Sequence, residues 1–136
     1  MKRLDLNATS EELASVRPQL REYLNQLGLD SKKVDEVALA VDETLSNILR
    51  HAYGGKQGKV EVVIEDFDDR VEIRIRDFGK KFDLTQMPPP ELPPVKPGGL
   101  GIHFIRTVMD KVAYDTACCD GNRLCLTKYK KSKKDS

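Results

Sequence analysis

Three groups of residues in this chain have the types and spacing to do chemistry. The first is Glu43 with Asn47. A spacing of four on a helix puts both side chains on one face, one turn apart. A carboxylate beside an amide oxygen can hold Mg²⁺, or can set a base next to a metal-bound phosphate. The same pair also fits a plain solvated polar face, and this helix alone leaves both readings open. The second group is Arg76-Asp77-Phe78-Gly79. By strand parity Asp77 continues the Val71, Ile73, Ile75 face, so its carboxylate points inward and needs a hydrogen-bond donor. The amino group of an adenine ring is one such donor, with Gly79 letting the ring lie close to the backbone; capping of the following turn by Asp77 is the other reading. The third group is Gly98-Gly99-Leu100-Gly101 at a helix start. There, free N–H groups and the helix dipole favour an anion such as phosphate, while a flexible lid hinge explains the glycines equally well. The run is neither a Walker loop nor a Gly-x-Gly-x-x-Gly dinucleotide turn.

Other reactive residues form no pattern. Cys118, Cys119 and Cys125 lack a Cys-x-x-Cys spacing and a neighbouring His, and read as reduced, packed thiols. His51 and His103 read as packing or surface histidines, and Arg106 as a surface residue.

The elements that must position these residues follow from periodicity. Leu4, Leu6 and Ala8 alternate with Arg3, Asp5 and Asn7, which predicts a short strand. Thr9 with Glu12 makes a capping box for a helix to about Leu27, with Pro18 implying a kink or irregularity inside it. Asp30 or Ser31 caps a second helix to about Tyr53, ended by Gly54-Gly55. On it Val34, Val37, Ala38, Val41, Leu45, Ile48, Leu49 and Ala52 form the core stripe. Glu36, Ala40, Glu43, Asn47 and His51 form a second stripe on the far side. A hairpin through Asp68-Asp69 joins strands over 59–67 and 70–78. Prolines exclude regular structure from 79 to 97, a length typical of a functional lid. A third helix to about Asp110 and strands over 111–117 and 122–130 complete the chain. One wet and one dry strand face predict a single sheet with helices on one side.

Composition agrees with a single globular domain: 136 residues, 39% hydrophobic, 33% charged, net charge +1. That balance gives no global electrostatic argument for nucleic acid. There is no membrane-length apolar run and no signal-peptide core, so a cytoplasmic protein without membrane attachment is expected. The strongly basic stretch from Lys128 to Ser136 reads as a solvated, frayed end.

In order and spacing, Glu43-Thr44-Leu45-Ser46-Asn47, the continuation to His51-Ala52-Tyr53, Asp77-Phe78-Gly79 with Phe82-Asp83, and Gly98-Gly99-Leu100-Gly101-Ile102 resemble the GHKL (Bergerat-fold) ATPases. Within them, the chain is most similar to the bacterial anti-sigma-factor serine/threonine-protein kinases of partner-switching systems. The resemblance covers nearly the whole chain. It implies an α+β fold, a two-layer α/β sandwich with one mixed, mostly antiparallel sheet and about three helices on one face. An ATPase domain over 1–130 and a basic tail over 131–136 are expected.

The resemblance also implies roles. Asn47 is expected to ligate Mg²⁺ on the ATP phosphates and Glu43 to act as the catalytic base. Asp77 and Gly79 are expected to bind adenine, and Gly98, Gly99, Leu100 and Gly101 the phosphates. The family phosphorylates a STAS-domain anti-anti-sigma partner, binds a sigma factor and often forms homodimers, with no direct contact to nucleic acid. This sequence departs from the pattern at two places. Lys81 stands where a second glycine is usual after Asp77, and Pro97 stands where some members carry an arginine before the lid glycines, leaving Lys96 as the nearby cation. A nucleotide-dependent regulatory binding module without kinase activity is the alternative these departures motivate.

Overall fold

The computed structural model describes residues 1–86, 101–115 and 120–131. In β1 (Lys2–Asn7), half-buried Leu4 and Leu6 alternate with exposed Arg3, Asp5 and Asn7. Helix α1 (Ser10–Gln26) begins where the Thr9 hydroxyl accepts the Glu12 amide at 3.1 Å. The Glu12 carboxylate does not return to the Thr9 amide, as a full capping box would. That amide is taken by the Asn7 carbonyl, and Glu12 accepts the Asn7 amide at 3.2 Å instead. Leu13, Val16, Leu20 and Leu24 form the buried face, and the helix runs on through Pro18, which lies on its exposed side.

Helix α2 (Ser31–Asn47) is capped by Asp30, whose carboxylate accepts the Lys33 amide at 2.9 Å. The winding then changes. Ile48–Ala52 form a π-helical turn, in which the Tyr53 amide reaches the Ile48 carbonyl at 3.1 Å. The expected core stripe is buried except for Leu49, which is half-buried. The second stripe differs from expectation: Ala40 and Asn47 are buried too. The reason is that α2 packs against both α1 and α3, so its buried arc is wider than one sheet contact requires.

The hairpin strands are β2 (Lys59–Asp66) and β3 (Arg70–Asp77), followed by a 3₁₀ turn at Leu84–Gln86. Helix α3 (Gly101–Val108), β4 (Lys111–Tyr114) and β5 (Asn122–Tyr129) complete the fold. The sheet order is β1-β2-β3-β5-β4, and all four pairings among the described residues are antiparallel. Val60, Val62 and Ile64 of β2, with Val71, Ile73 and Ile75 of β3, meet the helices and are 0–1% exposed. The opposite face carries cross-strand ion pairs such as Arg74–Glu65 at 2.8 Å, which keep it wet and contribute little stability. This is the two-layer α+β architecture the sequence predicts. No helix among the described residues is long and apolar enough to cross a membrane.

One expectation fails at the C-terminal side. Lys128 is not part of a frayed end. It shares the inward parity of Leu124 and Leu126, is 7% exposed, and bonds Glu36 at 3.3 Å and the Val108 carbonyl. Lys130 pairs with Asp66 at 2.6 Å. Residues 132–136 lie outside the described residues.

Candidate functional site

A helix–sheet interface should be apolar, so its buried polar side chains mark where something other than packing is arranged. Thr44, Asp77 and Asn122 are all buried there, and the three line one small cavity. Ile48, Phe82 and Leu84 supply apolar wall, and Tyr114 closes one side. At about 20 Å³ the cavity in this state has room for roughly one water.

Asp77 is at its floor, 1% exposed. Its Oδ1 accepts the Gly79 amide at 3.0 Å and Asn122 Nδ2 at 3.0 Å. Its Oδ2 is buried without a hydrogen-bond partner among the described residues. One oxygen of Asp77 thus caps the following turn, and the other is an inward acceptor without a partner among the described residues. Burial raises the Asp77 carboxyl above the usual carboxylate range. The bonds from Asn122 and Gly79, and the Lys81 charge, offset part of that rise.

Gly79 has a packing reason of its own. A Cβ there would stand 2.4 Å from the Ala52 carbonyl oxygen, which also accepts the Lys80 amide at 2.7 Å. The space its missing side chain leaves is thus filled by the π-helical turn rather than kept open beside the cavity. Tyr53 fastens the same junction, its hydroxyl donating to the Lys59 carbonyl and accepting the Phe78 amide at 2.8 Å.

Asn47 and Glu43 lie one turn apart on α2, next in chain to Ile48 and Thr44 of the cavity wall. Asn47 is 2% exposed, and its Nδ2 donates to the Glu43 carbonyl at 2.7 Å. A carbonyl accepts only from the nitrogen end of the amide, so this bond sets Asn47 Oδ1, the atom a cation needs, on the other side. Glu43 is half-buried. His51, at the end of this stripe, is largely exposed with its ring 5.4 Å from Phe82 of the cavity wall; partial desolvation and the neighbouring Arg50 charge hold its pKa below the usual histidine value.

Of the lid residues, Gly98, Gly99 and Leu100 lie outside the described residues, as do Lys96 and Pro97. Gly101 opens α3. Further along that helix Arg106 donates to the Thr85 carbonyl at 2.9 Å, tying α3 to the 3₁₀ turn.

Sequence reasoning missed Asn122, Tyr114 and Thr44. Parity would have found the first: Leu124 and Leu126 face the core, so a polar residue two places earlier faces it too, directly opposite Asp77 in the β3–β5 register. Thr44 and Tyr114 gave no such signal, since a threonine on a helix and a tyrosine on an edge strand are ordinary in a core.

Comparison with known proteins points to one family. A model of the histidine kinase-like ATPase domain matches residues 6–128. The chain is similar to a serine-protein kinase RsbW of Listeria innocua, 30% identical over 137 residues, covering 93% of this chain and 85% of the relative. It is also similar to a serine-protein kinase RsbW of Bacillus cereus, 27% identical over 139 residues, covering 93% and 82%. A crystal structure of the RsbU and RsbW domains of a Mycobacterium tuberculosis protein shares the fold at a TM-score of 0.63 and 20% identity, with 94% of this chain covered; the chain spans 32% of that longer one.

Proposed function

The chain belongs to the histidine kinase-like ATPase domain family, and from that premise we propose that it binds Mg-ATP and phosphorylates a serine on a small STAS-domain anti-anti-sigma protein. In the same reading it also binds a sigma factor, and works as a cytoplasmic homodimer. The observation that supports it best is the unpartnered Oδ2 of Asp77 at the floor of the cavity. A buried acceptor with nothing to accept is costly, and the exocyclic amino group of adenine relieves that cost. Because the cavity is small in this state, part of its wall must shift for a ring to enter.

The donor set at Asn47 fits a magnesium ion that arrives on the nucleotide, since Mg²⁺ takes oxygen ligands and keeps few protein ones. Bound there, it would neutralise phosphate charge. The chain's own residues do the rest. The bond from Nδ2 to the Glu43 carbonyl leaves Asn47 Oδ1 free, and that oxygen would hold the metal. Glu43 takes the proton of the serine hydroxyl as that oxygen bonds to the γ-phosphorus and the bond to the β–γ bridging oxygen breaks. Phosphoryl transfer of this kind asks the protein mainly for positioning and charge neutralisation. Gly98, Gly99, Leu100 and Gly101 supply backbone N–H groups to the phosphates.

Incubating the purified chain with labelled ATP, Mg²⁺ and its cognate STAS protein tests the reading. Transfer that Glu43→Gln abolishes without loss of ATP binding supports it. If wild type binds ATP and switches partners with no transfer, the chain is the regulatory binding module that Lys81 and Pro97 suggest.

A further inference from the structure

Four hydrogen bonds converge on the Asn122 side chain. Nδ2 donates to Asp77 Oδ1 at 3.0 Å and to the Lys80 carbonyl at 2.9 Å. Oδ1 accepts the Phe82 amide at 2.9 Å and the Tyr114 hydroxyl at 2.7 Å. That uses both donors and both lone pairs of the amide, and the residue is 5% exposed. A side chain so committed has nothing left for a ligand, so its effect must pass through the groups it holds. The turn before it is pressed against the same strand end. Gly121 has φ +87°, and a Cβ there would lie 2.1 Å from the Asp77 carbonyl oxygen.

Resting on the Mg-ATP reading above, we propose that Asn122 is a positioning residue for base recognition: it turns the Asp77 carboxylate so that Oδ2 alone is left to a ligand, and it ties that carboxylate to the 80–82 run leading into the Leu84–Gln86 turn.

The saturation of Oδ1 has a chemical consequence. With two donors on Oδ1, a proton taken up by Asp77 must sit on Oδ2. Oδ2 then presents a donor to the amino group of a base, which is itself a donor, so binding requires the ionised form. Asn122 favours that form, as do the Gly79 amide and Lys81. Tyr53 and Tyr114 are the other titratable groups in its field, and α2 with the π-helical turn brings only Thr44 and Ile48 to the cavity.

Two measurements on the full chain decide the matter. The first follows the Asp77 carboxyl by ¹³C NMR titration without nucleotide, in wild type, Asn122→Ala and Tyr114→Phe. The second is Mg-ATP affinity by calorimetry at pH 6 and pH 8. Asn122→Ala should raise the Asp77 midpoint and weaken Mg-ATP binding by about tenfold, with the larger loss at pH 6. Tyr114→Phe, which removes only the hydroxyl, should shift both in the same direction by less, and serves alone if Asn122→Ala does not fold. An unchanged midpoint, or an equal affinity loss at both pH values, overturns the proposal. If wild type binds no Mg-ATP, the ATP reading fails and base recognition with it, while the carboxyl titration still decides whether Asn122 sets Asp77.

Discussion

The Asn47 side chain donates to the backbone carbonyl of Glu43 at 2.7 Å, so the two residues with the clearest chemistry in the sequence are fixed to each other. The bond spans one helical turn and orients the amide before any metal arrives. Asn47→Ala removes the metal's oxygen and should weaken ATP binding at least tenfold when Mg²⁺ is present. Without Mg²⁺ the variant and wild type should bind ATP alike. Calorimetry with and without EDTA checks this, and equal losses in both conditions would rule Asn47 out as a metal ligand.

Glu43 is expected to separate binding from transfer. Glu43→Gln keeps the size of the side chain and the backbone carbonyl that Asn47 uses. It should cost about 10²–10⁴-fold in phosphoryl transfer with ATP affinity within about twofold of wild type. Single-turnover transfer to the partner protein, read beside ATP affinity, distinguishes the base from a residue that merely shapes the pocket.

The buried Asp77 carboxyl makes stability depend on pH. Its folded pKa is raised by burial, so the folded chain keeps this proton at pH values where the unfolded chain has released it. The stabilisation is full below the unfolded value of about 3.9 and is lost as pH rises through the folded value. Asp77→Asn removes that decline. The variant should match wild type in acid, exceed it at pH 8, and bind no nucleotide. Thermal unfolding from pH 4 to pH 8 measures it, and a variant less stable than wild type at pH 8 would count against the unpartnered Oδ2.

Gly79→Ala should destabilise the chain whether or not nucleotide is present. The new Cβ meets the Ala52 carbonyl oxygen at 2.4 Å, and overpacking against backbone costs about 1–3 kcal/mol. Ala52→Gly should not rescue it, because the nearest atom is a carbonyl oxygen that every residue carries. Urea unfolding of the single and double variants decides the point.

Lys128→Ala leaves Glu36 and the Val108 carbonyl without their cation. The Glu36 side chain is 26% exposed, so the cost falls below that of a fully buried pair, at about 1–3 kcal/mol. Lys128→Met combined with Glu36→Gln should cost less than Lys128→Ala, since no charge is stranded. A double-mutant cycle in urea gives the comparison.

What the sequence conveyed well was local and periodic. Alternation in Val71, Ile73 and Ile75 fixed the inward direction of Asp77, and Thr9 and Asp30 marked two helix starts. What it conveyed poorly depended on neighbours far along the chain. Asn47 and Ala40 are buried because α3 packs beside α2, which no period within α2 reveals. Gly79 looked like a gap for a ligand, yet the space is filled by Ala52, 27 positions earlier. Asn122 meets Asp77 across 45 residues, and only the strand register brings them together. Lys128 looked like tail because four lysines follow it at 130, 131, 133 and 134, while its parity put it in the core.

The π-helical turn at Ile48–Ala52 holds one residue more than α-helical winding over the same arc needs. Removing one residue there would let the chain wind as ordinary α-helix, an easier local conformation, and would leave the direction of the chain that follows nearly unchanged. Removing one residue from α2 itself would instead swing the core stripe between the gap and Ile48 by about 100°. Single-residue deletions within 48–52 should therefore be better tolerated than deletions within the preceding turns of α2. A library of single-residue deletions across 34–54 would show a local rise in folded protein there.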